Sequence, residues 1–249
     1  MEPALNKYEP FKLKPVGPDI WQADGDFVYF HNYPYPIRMF LVRLTNGHYL
    51  INTPVQPDKD LVNEIKTKIK SMKVLYIISG SKHHNNFLES WSALFPEARL
   101  GGPLDLIDKM QKDERNLKFT YVLDNKNTLP WNDDLAHLHI EGCRICEEVF
   151  FYHKKSKSLV IADLIQNHRL EALYTEQVQK RKEKGKSIKY LQGCPEEHKD
   201  NYSSTDAKKK LLELLKQVLQ WDFDKILITH GNQITEDAKE YYETFLSEF

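Results

Sequence analysis

Three short apolar runs, rich in β-branched residues, stand out in the pattern of hydrophobic and polar positions. They lie within Val74–Trp91, Ser158–Ile165 and Lys225–Ile234, about 70 residues apart. Apolar runs of this length between turn residues are typical of strands that are buried on both faces. Each run ends in polar residues, and layered α/β folds gather their catalytic groups at strand ends. The pattern therefore predicts a site built from the ends of three strands.

The first part of the chain predicts strands followed by a helix. Ile20–Phe30 and Arg38–Leu44 alternate like hairpin strands across a proline-rich turn at Tyr33–Pro36. Asp58–Met72 has apolar residues at helical spacing, opens with Asp58 or Asp60, and leads into the first of the three apolar runs.

The remaining segments continue this mixture of strands and helices. Helices are predicted at Phe87–Phe95, Leu104–Asp113, Asp206–Gln220 and from Thr235 onwards. Strands are predicted at Phe119–Leu123, Leu135–Ile140, Glu147–Tyr152 and Leu159–Asp163. Strand-rich halves with intervening helices predict an α/β (α+β) protein in which two packed sheets are covered by helices, a four-layer αββα sandwich.

Length and charge favour one domain spanning residues 1–249. Lys and Arg number 35 against 36 Asp and Glu, so a dedicated nucleic-acid surface is not expected. The N-terminus does not resemble a signal peptide, and no run approaches the roughly 18 apolar residues of a membrane span. Three cysteines without a disulfide framework fit a reducing compartment. We expect a cytoplasmic protein that binds neither nucleic acid nor membrane, with its oligomeric state open.

Residues 166–204 form an atypical segment that we interpret as a helical or loop insertion, or a lid. A helix is predicted from about Leu170, and it runs into the charged stretch Lys180–Lys186 before a break at Gly193–Pro195. A charged run of this kind is usually the solvated face of a helix. The alternative is a contact with an anionic partner, or a lid beside the site.

The three runs resemble the metal-binding strands of the metallo-β-lactamase superfamily. In that superfamily one strand delivers a His-x-His-x-Asp-His loop, a later strand ends in a metal-bridging Asp, and a last strand ends in His. The matching segments here are Ile77–Trp91, Leu159–Leu164 and Ile228–Gly231. The resemblance covers roughly residues 18 to 245 and implies the same αββα architecture and a divalent-metal site.

The chain is more similar still to an uncharacterised branch of the superfamily, known only as a domain of unknown function. The landmarks of that branch correspond to Arg38–Leu44, Leu50–Val55, Phe95–Arg99, Glu147–His153 and Ser156–Leu164.

The metal-binding loop departs from the superfamily pattern. If the motif begins at Ser81, only His83 matches a ligand; if it begins at Gly80, His84 stands at the Asp and Asn85 at the following His. Neither alignment rebuilds a complete two-metal site. We therefore expect a degenerate site with at most one divalent metal, zinc or iron, and the alternative is no metal at all.

The resemblance gives His83, His84, Cys143, Asp163 and His230 as candidate metal ligands, with Asp163 and His230 as candidate catalytic residues. Neighbouring side chains of an extended segment point in opposite directions, so one of the two adjacent histidines should face solvent. The family comparison favours His84 as the inward one. Cys143 falls about where the superfamily has a further His, and thiolate is a good zinc ligand.

Each candidate also has an ordinary structural interpretation. Cys143 could be a small buried apolar residue, Asp163 could cap the following turn, and His230 could form a hydrogen bond across the strand ends. His153 is expected at the surface or in a hydrogen bond.

Glu147 and Glu148 straddle the start of a predicted strand, so only one of them can point inward. A buried carboxylate there needs a partner, and Arg38 or Arg144 could provide it.

The degenerate loop favours a non-hydrolytic protein or pseudoenzyme that binds a small molecule or serves an assembly. The first alternative is a single-metal hydrolase of an ester, thioester or lactone, in which the metal activates water. The second is a non-hydrolytic enzyme such as an oxidoreductase or lyase, because fold does not fix function. The sequence lacks the G-x-S-x-G elbow of serine hydrolases and the Gly-rich phosphate loop of nucleotide-binding enzymes.

Overall fold

The computed structural model describes residues 6–30, 33–143, 147–168, 192–193, 202, 204–247 and 249. Within these ranges the chain forms fifteen strands and five α-helices. Most of the predicted insertion at 166–204, including the helix from Leu170, the run Lys180–Lys186 and Cys194–Pro195, lies outside the described residues and stays a prediction. No described helix is both long enough and apolar enough to cross a lipid bilayer.

The first half of the chain builds a seven-stranded sheet. This half of the chain contains nine strands, of which seven belong to the sheet: β1 (Leu13–Gly17), β2 (Ile20–Asp24), β3 (Val28–Phe30), β4 (Tyr33–Tyr35), β5 (Arg38–Arg43), β6 (Tyr49–Asn52), β7 (Val74–Ile78), β8 (Arg99–Gly102) and β9 (Phe119–Val122). The order in the sheet is β1-β2-β5-β6-β7-β8-β9, while β3 and β4 pair with each other. The strands from β6 to β9 run parallel, and helices α1 (Lys59–Ile69), α2 (Leu88–Leu94) and α3 (Leu104–Lys112) lie between them in sequence.

The second half builds a four-stranded sheet in the order β10-β11-β12-β15. The elements of this half are β10 (Leu135–Ile140), β11 (Glu148–His153), β12 (Ser158–Ile161), β13 (Gln166–Asn167), β14 (Gln192–Gly193), α4 (Thr205–Gln217), a 3₁₀ turn (Val218–Gln220), β15 (Lys225–Ile228) and α5 (Ala238–Leu246). β13 pairs with β14, and β12 pairs with β15 in parallel.

Three apolar clusters lie between the successive layers of the fold, which are helices, the first sheet, the second sheet and helices. The first contains residues of α1, α2 and α3 with residues of the first sheet, including Leu61, Trp91, Leu106, Leu41 and Ile77. The second lies between the sheets and includes Phe40, Leu50, Ile78, Phe151 and Leu227. The third contains residues of the second sheet with α4 and α5, including Leu159, Ile226, Leu215, Tyr242 and Phe245. The predicted αββα sandwich is therefore confirmed.

Most predicted elements occur within a few residues of their expected ends. Asp58 caps α1, and Ser204 caps α4 by accepting a hydrogen bond from the amide of Ala207. The prediction of a turn at Tyr33–Pro36 was wrong in part, because Tyr33–Tyr35 is strand β4. Besides β4, the strands β1, β8, β13 and β14 were missed. Strand β8 reads Arg-Leu-Gly-Gly, and glycine weakens a strand pattern.

Candidate metal centre

The strand arrangement explains why residues distant in sequence meet. β12 and β15 are adjacent and parallel, so the segments that follow them, which carry Asp163 and His230, leave the same edge of the second sheet. The loop after β7 crosses from the first sheet to meet them. The carbonyl of Gly80 accepts a hydrogen bond of 2.8 Å from the amide of Val149, and Ser81 forms an antiparallel bridge with Glu148.

His84, Asp163 and His230 form one compact group. Nε2 of His84 lies 3.1 Å from Oδ1 of Asp163, and Nε2 of His230 lies 3.2 Å from the same oxygen. One nitrogen or oxygen from each residue fits within a set of atoms that all lie within 4.8 Å of one another. All three side chains are largely buried, with 9% of His84, 10% of Asp163 and 7% of His230 exposed.

Asp163 is held as a carboxylate by its surroundings. Burial raises its pKa, but the charge of His84 and the hydrogen bonds from His230 and His84 lower the pKa of Asp163 well below its usual value. The Ser81 hydroxyl donates a short hydrogen bond to Oδ2, the oxygen that the two imidazoles leave free. The two oxygens of Asp163 therefore have different neighbours: imidazoles at Oδ1 and a hydroxyl at Oδ2.

His230 is oriented by its other ring nitrogen. Nδ1 lies 2.8 Å from the carbonyl oxygen of Pro36. A carbonyl only accepts, so Nδ1 carries a proton, and this hydrogen bond directs Nε2 toward Oδ1 of Asp163. This is the arrangement in which metal-binding histidines are commonly fixed.

A buried arginine of the first sheet holds the turn that carries His230. Nη1 of Arg38 donates 2.8 Å hydrogen bonds to the carbonyls of Ile228 and Gly231, while Nε donates at 2.7 Å to Oδ1 of Asp24. Arg38 is 4% exposed and Asp24 is 1% exposed. The ion pair holds the guanidinium in place, and its two carbonyl hydrogen bonds fix the end of β15 to the first sheet.

Gly231 has a backbone conformation that the turn requires. Its φ is +99°, and a β-carbon there would overlap the carbonyl group of Asn167 and lie 2.8 Å from the amide nitrogen of His168. The amide of Asn167 donates to the carbonyl of His230 at 3.2 Å, and the amide of Asn232 donates to the carbonyl of Asn167 at 2.7 Å. Strand β13 can therefore pack against the His230 turn only because residue 231 has no side chain.

Glu148 points inward and Glu147 does not, as the expectation for this pair required. The carboxylate of Glu148 is fully buried and accepts hydrogen bonds from the amides of Ala162, Asp163 and Leu164. Burial and then the charge of Asp163 raise the pKa of Glu148 to about 8, although the three amides oppose this shift. The prediction that Arg38 pairs with this carboxylate was wrong, because Arg38 binds Asp24; Arg144 lies outside the described residues.

The other two candidate ligands lie apart from the group. His83 is exposed, whereas its neighbour His84 lies against Asp163. Cys143 is a buried thiol in the apolar cluster beneath α4, where its backbone forms a strand bridge with Tyr202. Among the residues that the structure describes, neither belongs to the set of His, Cys, Asp and Glu side chains that could share a cation.

His153 is buried, although the surface was one of its two expected positions. It is 1% exposed, and Nδ1 lies 2.7 Å from the hydroxyl of Ser156, so the expected hydrogen bond is present and the surface position was wrong.

Several neighbours of the group were not identified from the sequence. The Thr229 hydroxyl donates to the carbonyl of Ala162 at 2.6 Å and lies 3.5 Å from Nε2 of His84. The rings of Tyr35 and His230 meet edge to face with centroids 5.7 Å apart, and the ring of His168 stacks 6.4 Å from that of His230. Thr229 could have been identified from its position immediately before His230. Tyr35 could not, because a tyrosine in a predicted turn gives no such signal.

The donor set suits a divalent transition metal. Two imidazoles and one carboxylate are a common catalytic ligand set for zinc and for non-haem iron. The hydrogen bonds at Nδ1 of His230 and Oδ2 of Asp163 orient these ligands from behind, as is usual around bound metals. The geometry thus fits one cation between the three side chains.

The sequence profile of a family described as a domain of unknown function, DUF4336, matches residues 19–188, more than half of the chain. The chain belongs to this family. No curated protein sequence matches this DUF4336 protein.

Solved structures share the architecture. A metallo-β-lactamase from Pontibacter korlensis is 11% identical, with a TM-score of 0.63 over 95% of this chain and 98% of that one. The mono-zinc form of the metallo-β-lactamase FIM-1 from Pseudomonas aeruginosa is 10% identical, with a TM-score of 0.64 over 98% and 97%. The metal-soaked Flv1 flavodiiron core from Synechocystis sp. PCC6803 is 13% identical, with a TM-score of 0.60; 95% of this chain matches 60% of that chain. The DUF4336 protein therefore has the metallo-β-lactamase fold.

Proposed function

We propose that this DUF4336 protein binds one divalent metal ion, zinc or iron, through His84, Asp163 and His230, and uses it to hold a small molecule without hydrolysing it. The observation that carries the proposal is the convergence of the three donor atoms within 4.8 Å at the edge where the two sheets meet.

The surroundings of Asp163 support a single metal. A carboxylate that bridges two metals offers one oxygen to each, but here the Ser81 hydroxyl is bonded to Oδ2. Asn85 is buried and donates a 2.6 Å hydrogen bond to the carbonyl of Lys82, and Asn86 is exposed. Neutral amide and hydroxyl groups are poorer zinc donors than imidazole or thiolate. Ser81, Asn85 and Asn86 thus give a second cation no strong ligand.

The polar groups nearest the histidines also favour binding over hydrolysis. Ser81 and Thr229 place hydroxyls beside Asp163 and His84, and each hydroxyl already donates a hydrogen bond within the protein. Such groups orient ligands but are weak bases at neutral pH. A bound metal would supply Lewis acidity for an oxygen-containing ligand.

Hydrolysis of an ester, thioester or lactone is the second candidate. The observation in its favour is the ligand composition, since two histidines and one carboxylate also serve catalytic zinc sites that leave a position for water.

The first experiment measures metal content and affinity. Protein purified without added metal, then titrated with Zn²⁺ or Fe²⁺, should bind one equivalent, and His84→Ala and His230→Ala should abolish binding. His83→Ala is a matched control, because His83 is the exposed neighbour of His84, and it should bind as the wild type does. Two equivalents per chain, or unchanged binding in His84→Ala and His230→Ala, would contradict the proposal.

The second experiment separates the two candidates. The metal-loaded protein is assayed against a panel of esters, thioesters and lactones, with Asp163→Ala as the comparison. Non-hydrolytic binding predicts rates equal to background for both proteins. Metal-stimulated turnover that disappears in Asp163→Ala would establish the hydrolase instead.

A further inference from the structure

Glu148 stands where three chain segments meet. It is the first residue of β11, and its side chain is 0% exposed. Its backbone bridges Ser81 in the loop that carries His84. Its carboxylate reaches the other way, to the turn that carries Asp163.

The side chain of Glu148 replaces missing strand pairing. β11 and β12 pair from His153↔Ser158 to Phe151↔Val160, and in this register Glu148 would lie opposite Asp163. The ladder ends before that point, because the start of β11 turns to the loop after β7. The amides of the departing turn would then lack acceptors in a buried place, which is costly.

The carboxylate satisfies these amides directly. Oε1 accepts from the amide of Ala162, and Oε2 accepts from those of Asp163 at 3.0 Å and Leu164 at 2.7 Å. Three consecutive amides that converge on one buried carboxyl group fix the backbone of the turn. These hydrogen bonds therefore also fix the backbone position from which the side chain of Asp163 extends.

We infer that Glu148 is a positioning residue for the metal centre: it holds the Asp163 turn against the His84 loop, so that Oδ1 of Asp163 meets both histidines. This inference rests on the proposed metal-binding function. Hydrogen bonds that orient metal ligands from behind typically change affinity by about 10- to 100-fold when they are removed.

The test replaces the carboxylate with an amide of similar size. Glu148→Gln retains one good acceptor and turns an NH₂ group toward the amides, so the turn loses part of its anchor. We expect Zn²⁺ affinity, measured by chelator competition, to fall about 10- to 100-fold. The visible absorption spectrum of the Co²⁺-loaded protein should also change, because the position of Asp163 changes the ligand geometry.

Glu147→Gln is the matched control, since Glu147 is the next residue, is half-buried, and faces His139 and the amide of Gly142. It should keep the wild-type affinity and Co²⁺ spectrum. If Glu148→Gln does not fold, Glu148→Asp provides the same test, because it keeps the carboxyl group but shortens its reach by one methylene.

The outcomes separate the inference from the proposed function. A wild-type protein that binds no metal ends the proposed function and the inference with it. A wild-type protein that binds one equivalent, with a folded Glu148→Gln or Glu148→Asp of equal affinity and identical Co²⁺ spectrum, overturns the inference and leaves the proposed function intact. A loss of melting temperature without a change in affinity or spectrum would likewise make Glu148 purely structural.

Discussion

Replacing Arg38 with Met should destabilise the fold and loosen the turn that carries His230. The substitution keeps a long side chain in the space but removes three hydrogen bonds of 2.7 to 2.8 Å, one to Asp24 and two to the carbonyls of Ile228 and Gly231. It also leaves the carboxylate of Asp24 buried at 1% exposure without its main partner.

The expected cost follows from these contacts. Removing one member of a buried ion pair costs about 3–5 kcal/mol. Asp24 retains Lys14 at 3.4 Å and the amide of Glu9 at 3.3 Å, so we expect the lower end, about 3 kcal/mol. For a domain of this size, that loss lowers the melting temperature by about 6–12 °C.

The assay is urea unfolding of metal-free protein for the wild type, Arg38→Met, Asp24→Asn and the double variant. The pair should show a coupling free energy of about 1–3 kcal/mol, so the double variant should be more stable than the sum of the two single losses predicts. Additive losses, or an Arg38→Met melting temperature within about 2 °C of the wild type, would refute the reasoning that this ion pair anchors the turn.

Two further predictions concern other buried positions. Gly231→Ala should lower the free energy of unfolding by about 2 kcal/mol or more and abolish metal binding, because its β-carbon overlaps Asn167. Gly47→Ala, at φ +83° but with only ordinary contacts to Met72, measures the backbone cost alone, and equal losses in the two variants would contradict the overlap. Burial lowers the pKa of His153 to about 4, although the nearby Asp134 and Asp19 oppose this shift. The unfolded chain therefore binds a proton at His153 more readily than the folded protein does. The free energy of unfolding should fall by about 3 kcal/mol at most as pH falls from about 6.5 toward 4. His153→Gln should flatten that part of the curve of unfolding free energy against pH, and an unchanged slope would show that His153 is not responsible.

The sequence was informative wherever one local pattern determined the outcome. Apolar runs located β7, β12 and β15, and helical spacing located α1 and α4, because a buried face imposes its period on the residues. The alternation of side chains, with the family comparison, also singled out His84 over His83, and the structure places His84 beside Asp163.

The supports of the site could not be predicted in the same way. Arg38 reaches carbonyls 190 and 193 residues away, and which backbone groups remain exposed at the end of β15 depends on the packing of the two sheets. Glu148 was recognised as one of two candidates for burial, but its partners are backbone amides, which carry no signature in the sequence. Strand β13 has two residues and no periodicity to detect.

The three grouped side chains come from different sheets: His84 follows a strand of the first, whereas Asp163 and His230 follow strands of the second. They are separated by 79 and 67 residues along the chain. A cation held by all three would cross-link the two sheets and close two long loops of the chain, whereas a disulfide closes one. Any unfolding route that pulls the sheets apart would first have to break metal–ligand bonds, so an occupied site would slow unfolding as well as favour the native state.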